Sequence, residues 1–113
     1  MNVTIYHNPG CSKSRQTLDL LRQQGVRPRI VEYLKTPPDA ATLKDILTRL
    51  GIGPRDLMRD KEARAAGLAD PDLGDDDLIA GMVANPIVIQ RPIVVAGDKA
   101  ALGRPPEDVL AIL

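Results

Sequence analysis

The feature that most restricts the fold is a change of hydrophobic period across three residues near the start of the chain. Val3-Thr4-Ile5-Tyr6-His7 is β-branched and aromatic, as a short strand requires, and it ends at Asn8-Pro9-Gly10, which breaks regular structure. From Ser14 onward Leu18, Leu20 and Leu21 fall on one side with Arg15, Asp19 and Arg22 on others, and the pattern closes at Gly25, a residue suited to a helix end. Arg29 to Leu34 then reads as a second strand. A strand, a turn, a helix and a strand in this order form a βαβ start, with Cys11 in the turn.

The remainder continues the α/β pattern. Thr36-Pro37-Pro38-Asp39 is a loop whose Asp39 can cap a helix over Ala40–Leu50, stopped by Gly51. Gly53 to Asp77 holds two prolines, three glycines and repeated aspartates, and accommodates only short helical pieces, Arg55–Arg59 and Lys61–Ala66. Asp75-Asp76-Asp77 precede a helical stretch Leu78–Val83, where carboxylates suit the positive end of the helix dipole; Asn85-Pro86 ends it. Ile87–Ile89 and Ile93–Val95 flank Gln90-Arg91-Pro92, and the second run passes through Ala96-Gly97-Asp98 into Lys99–Leu102, a strand, turn and strand. Arg104-Pro105-Pro106-Glu107 opens a last helix, Asp108–Leu113, since proline is tolerated in a first turn. The order is βαβ, a helical insertion, then ββα. At 113 residues the expectation is one domain over 1–113.

Composition excludes several classes of function. Fifteen Lys and Arg against fifteen Asp and Glu leave no net charge, so bulk electrostatics attract neither nucleic acid nor an anionic membrane. No apolar run is long enough to cross a bilayer and no leader pattern is visible, so a cytoplasmic location is expected, with a monomer as the default state where the residues leave oligomerisation open. With no Phe or Trp, the core must come from Leu, Ile, Val, Met and Ala. A single cysteine excludes an internal disulfide, a thiolate-rich zinc site and a Cys-x-x-Cys couple; no metal or bound cofactor is expected. If Cys11 does redox chemistry, its resolving thiol comes from elsewhere.

A cysteine just ahead of a helix feels unpaired N–H groups and the helix dipole, and Lys13 and Arg15 add positive charge, so its thiolate is favoured. The same N–H groups, with hydroxyls from Ser12 and Ser14, suit a tetrahedral anion beside the nucleophile. The competing view is a buried, inert thiol, the commoner fate of a lone intracellular cysteine; a proline-glycine turn, two hydroxyls and two cations serve an exposed thiol better. His7 is a supporting candidate able to tune or bond the thiolate, although a lone histidine beside a turn is commonly structural. Arg91 precedes Pro92, an X-Pro bond whose isomer the residues alone leave open.

Tyr6-His7-Asn8-Pro9-Gly10-Cys11-Ser12-Lys13-Ser14-Arg15, Leu57-Met58-Arg59, Arg91-Pro92-Ile93-Val94-Val95 and Gly103-Arg104-Pro105-Pro106-Glu107 together resemble the ArsC-type arsenate reductases that use glutathione and glutaredoxin, over residues 3 to 113. The resemblance implies a thioredoxin-like (glutaredoxin-like) sheet core with a helical insertion and a cis proline at Pro92. It implies Cys11 as nucleophile and Arg59, Arg91 and Arg104 as an oxyanion-binding triad, with His7 near the thiol. Arsenate is then the substrate, glutathione the co-substrate and glutaredoxin the partner. The Cys11 motif is shared more widely, so two rivals stand beside this one. A glutathione-dependent thiol reductase needs Cys11 without the full arginine set. A Spx-like regulator contacting RNA polymerase fits the fold, but position 14 is Ser14 where a Cys-x-x-Cys switch needs a second thiol.

Overall fold

A computed structural model of the chain describes residues 2–113, and these divide into two compact units, one from residues 2–36 and 91–113, the other from residues 37–90. The first unit contains β1 (Val3–His7), α1 (Ser12–Gln23), β2 (Arg29–Glu32), β3 (Ile93–Ala96), β4 (Lys99–Leu102) and a terminal 3-10 segment, Pro106–Ile112. The strands form one sheet in the order β2-β1-β3-β4. β1 is parallel to β2, which requires a crossover connection, and α1 provides it. β3 runs antiparallel to β1, and β3 and β4 form a hairpin turned at Gly97, whose φ of 61° lies in the left-handed region.

Alternate residues of β1 are buried, and Val3 and Ile5 meet Leu18, Leu21, Val94, Ala96 and Val109 in an aliphatic core. On α1 the buried residues are Ser14, Thr17, Leu18 and Leu21, spaced as one helical stripe. The helix begins at Ser12, two residues before the apolar pattern, because Ser12 and Lys13 are exposed and carry no periodic signal. It closes as expected at Gly25 (φ 76°), whose N–H donates to Arg22 O at 3.0 Å while Val26 N–H donates to Leu21 O at 3.0 Å. β2 stops at Glu32, short of the expected Leu34, because the N–H groups of Lys35 and Thr36 both bond Glu32 O and turn the chain.

The second unit is the helical insertion: α2 (Ala40–Leu50), α3 (Pro54–Leu57), α4 (Asp60–Ala65), α5 (Asp75–Ala84) and a 3-10 turn, Pro86–Val88. α2 has the expected bounds, with Asp39 Oδ1 accepting Thr42 N–H at 2.8 Å and Gly51 left-handed at φ 70°. α2 and α3 pack on α5, burying Leu43, Ile46, Leu47, Leu57, Leu78, Ile79 and Met82. The expected piece Arg55–Arg59 is corrected: Met58 and Arg59 are extended, and Met58 bridges Ile89 in antiparallel fashion, so Arg59 leaves α3 and precedes α4. The three aspartates lie inside the first turn of α5, where Asp77 Oδ2 accepts Gly74 N–H at 3.1 Å.

Candidate active site

Register explains why residues about ninety positions apart meet. Tyr6 pairs with Ile93, and Ile93 pairs with Leu102. The end of β1, the start of β3 and the end of β4 therefore lie at one end of the sheet. From that end β1 runs into the Cys11 turn, Arg91-Pro92 leads into β3, and Gly103-Arg104 leaves β4. Both Arg91–Pro92 and Arg104–Pro105 peptide bonds are cis, the first as the resemblance implied and the second without a sequence signal. Gly103 N–H donates to Pro92 O at 3.0 Å, and a Cβ at Gly103 would press on Thr17 and Pro92, so the two arginine turns pack closely.

Cys11 is half-buried and caps α1 with extended backbone (φ −101°, ψ 123°). Its carbonyl accepts the Arg15 N–H at 3.0 Å as the helix begins. Burial pushes the thiol up, but hydrogen bonds from the Ser14 N–H, the Arg91 side chain and the Lys13 N–H, with the Arg91 charge, bring it below the ordinary cysteine value. Arg104 directs a terminal nitrogen at the sulfur from 3.8 Å, while its Nε donates to Arg91 O at 2.8 Å. The first unit thus brings Cys11, Arg91 and Arg104 together, and the cations that act on the sulfur are Arg91 and Arg104 rather than the side chains of Lys13 or Arg15.

The supporting residues sit differently from what their types suggested. Ser14 is fully buried, and its hydroxyl accepts Asn8 N–H at 3.0 Å and lies 2.6 Å from His7 Nδ1, so it is committed internally rather than offered to an anion. Its place on the Ser14-Thr17-Leu18-Leu21 stripe was the available signal. Burial holds His7 below the ordinary histidine value, opposed by Glu32 and reinforced by Arg22 and Arg15. A neutral imidazole that accepts a hydrogen bond from the Ser14 hydroxyl at Nδ1 carries its own proton on Nε2, an assignment made from these partners. His7 therefore bonds Ser14, whose N–H holds the sulfur. Arg15 is exposed and donates to Pro9 O at 2.7 Å, bracing the turn.

Arg59 belongs to the second unit. Its N–H donates to Val88 O at 2.8 Å, its Nε pairs with Glu62 Oε2 at 3.3 Å, and a terminal nitrogen donates to Gln90 Oε1 at 3.3 Å. The roles of Glu62 and Gln90 in holding Arg59 had no signal in residue type. Among the described residues no cluster of His, Cys, Asp and Glu is arranged to hold a metal ion.

A low thiol beside two guanidinium groups is suited to nucleophilic attack on an oxyanion, because the planar arginine fork matches such oxygens and the thiolate is the reactive form. Residues 6–112 match the ArsC family. The chain is 56% identical over 98% of its length to YfgD, an uncharacterized protein of Escherichia coli strain K12, covering 96% of that protein. It is 45% identical to an arsenate reductase of Neisseria meningitidis serogroup A, covering 98% of this chain and 97% of the relative. The solved arsenate reductase from Vibrio cholerae superposes with a TM-score of 0.96 at 49% identity, covering 100% of this chain and 98% of the other.

Proposed function

The chain belongs to the ArsC family, and from that premise we propose that it reduces arsenate to arsenite with Cys11 as nucleophile. The observation that carries this is the sulfur itself, which receives the Ser14 and Lys13 N–H groups and the Arg91 side chain, with Arg104 at 3.8 Å. The thiolate attacks arsenic, an oxygen leaves as water after protonation, and an S–As bond forms with arsenic still pentavalent. Arg91 and Arg104 balance the charge that gathers on the remaining oxygens. Arg59 is proposed as a third oxyanion ligand on the match of its motif.

Reduction then needs two electrons, and two thiols supply them. Glutathione attacks the Cys11 sulfur, the S–As bond breaks with its electron pair passing to arsenic, and arsenite departs. Cys11 is left in a mixed disulfide with glutathione, and a glutaredoxin thiol removes the glutathione to restore the thiolate. An external cycle of this kind fits a chain with one cysteine. It also fits the cytoplasm, where thiols are kept reduced; no helix among the described residues is long and apolar enough to cross a membrane.

The test is arsenate-dependent NADPH oxidation coupled through glutathione, glutaredoxin and glutathione reductase. The wild-type protein is expected to turn over, Cys11→Ser to be inactive, and Arg59→Ala to need more arsenate for half-maximal rate. An inactive wild type at saturating arsenate overturns the substrate assignment and favours a thiol substrate. An Arg59→Ala variant with wild-type saturation removes Arg59 from the site.

A further inference from the structure

Asn8 lies between His7 and Cys11 yet has no place in the chemistry above, although it makes three hydrogen bonds within the loop. Its N–H donates to Ser14 Oγ at 3.0 Å, its main-chain oxygen accepts Cys11 N–H at 3.0 Å, and its side-chain Oδ1 accepts Gly10 N–H at 2.9 Å. The residue is only 9% exposed. Gly10 lies so close beneath it that a Cβ there would stand 3.3 Å from Asn8 Oδ1.

These bonds divide the loop's donors. Gly10 and Cys11 N–H groups are taken by Asn8, whereas the Lys13 and Ser14 N–H groups reach the sulfur. A side-chain oxygen that accepts from the backbone two residues on closes an Asx turn, which fixes the chain direction without a helix or strand. Here it fixes the two peptide units ahead of Cys11, and hence the extended Cys11 backbone from which Sγ points back at the first turn of α1. We propose that Asn8 is a positioning residue for the Cys11 thiolate, its carboxamide oxygen holding the Gly10-Cys11 segment where the sulfur meets the first N–H groups of α1.

The inference rests on Cys11 as the nucleophile of the proposed site, but its test needs no arsenate. The pH dependence of Cys11 alkylation by iodoacetamide is measured for the wild type, Asn8→Ala and Asn8→Ser, with circular dichroism establishing that each is folded. Alanine removes the acceptor, and the alkylation midpoint is expected to rise by about one pH unit, or about tenfold less thiolate below it. Serine keeps an acceptor on a shorter arm, and its midpoint is expected to rise by about half as much. A purely structural turn residue would lower the melting temperature and leave the midpoint of the folded variant where it was. An unshifted midpoint in Asn8→Ala overturns the proposal, and the same result in Asn8→Ser overturns it if the alanine variant does not fold. A shifted midpoint in a protein inactive towards arsenate upholds Asn8 and removes the substrate assignment alone.

Discussion

At the scale of single residues the controlling atom is the Cys11 sulfur, and the strongest side-chain influence on it is Arg91, which both donates to it and places a positive charge beside it. Arg91→Ala is expected to raise the alkylation midpoint of Cys11, and Arg91→Lys, which keeps the charge without the planar fork, to fall between; a midpoint unmoved by alanine would remove Arg91 from the thiolate. His7 gives a second prediction. Its folded value lies below the 6.5 of a free histidine, so above that pH the group is neutral in both states and its contribution to stability is complete. As pH falls below 6.5 the unfolded chain takes up a proton that the folded one resists, and stability declines until the folded value is passed. Urea unfolding at several pH values is expected to show this acid loss in the wild type and a flatter profile in His7→Asn; parallel profiles would contradict it. Cys11 stands out in the sequence because a proline-glycine turn before a leucine-patterned helix suits an exposed thiol better than a packed one. The Ser14 hydroxyl suggests an anion donor by type, but its helical spacing to Leu18 and Leu21 turns it inward. Asn8 gives no sequence signal because its bonds run within the loop, where no periodicity reports them.

Elements were legible wherever both ends carry their own chemistry. α2 has the bounds its sequence predicts because Asp39 caps one end and Gly51 closes the other. Gly51 sits at φ 70°, where a Cβ meets the carbonyl, so Gly51→Ala is expected to cost about 1–2 kcal/mol in denaturant unfolding; a change near zero would show that α2 ends differently in solution. Between Gly53 and Asp77 the helices are four and six residues long, too short for a 3.6-residue period to declare itself. That is why the residue pattern alone carries a helix through Arg59, although it lies in extended chain with its N–H taken by Val88 O. β2 was overextended for the opposite reason: Tyr33 and Leu34 have strand-forming side chains, but the turn after Glu32 is set by main-chain bonds that residue type does not reveal.

At the scale of the whole molecule, the α/β class and the insertion followed from the order of elements, while the strand order β2-β1-β3-β4 did not, because nothing local says which strands become neighbours. That order has functional consequences. With β1 central and β3 antiparallel beside it, the Cys11 turn, the Arg91 turn and the Arg104 turn share one end of the sheet. A solitary cysteine, its thiol held below the ordinary value, then lies beside two guanidinium groups, and in the proposed cycle thiols from other molecules complete the reduction. The most direct test of that account is the arsenic species formed when arsenate is incubated with the protein, glutathione and glutaredoxin. Arsenite is expected to accumulate with the wild type and to remain at background with Cys11→Ser; arsenite at background in both would contradict the proposed activity, and equal accumulation in both would contradict the role of Cys11.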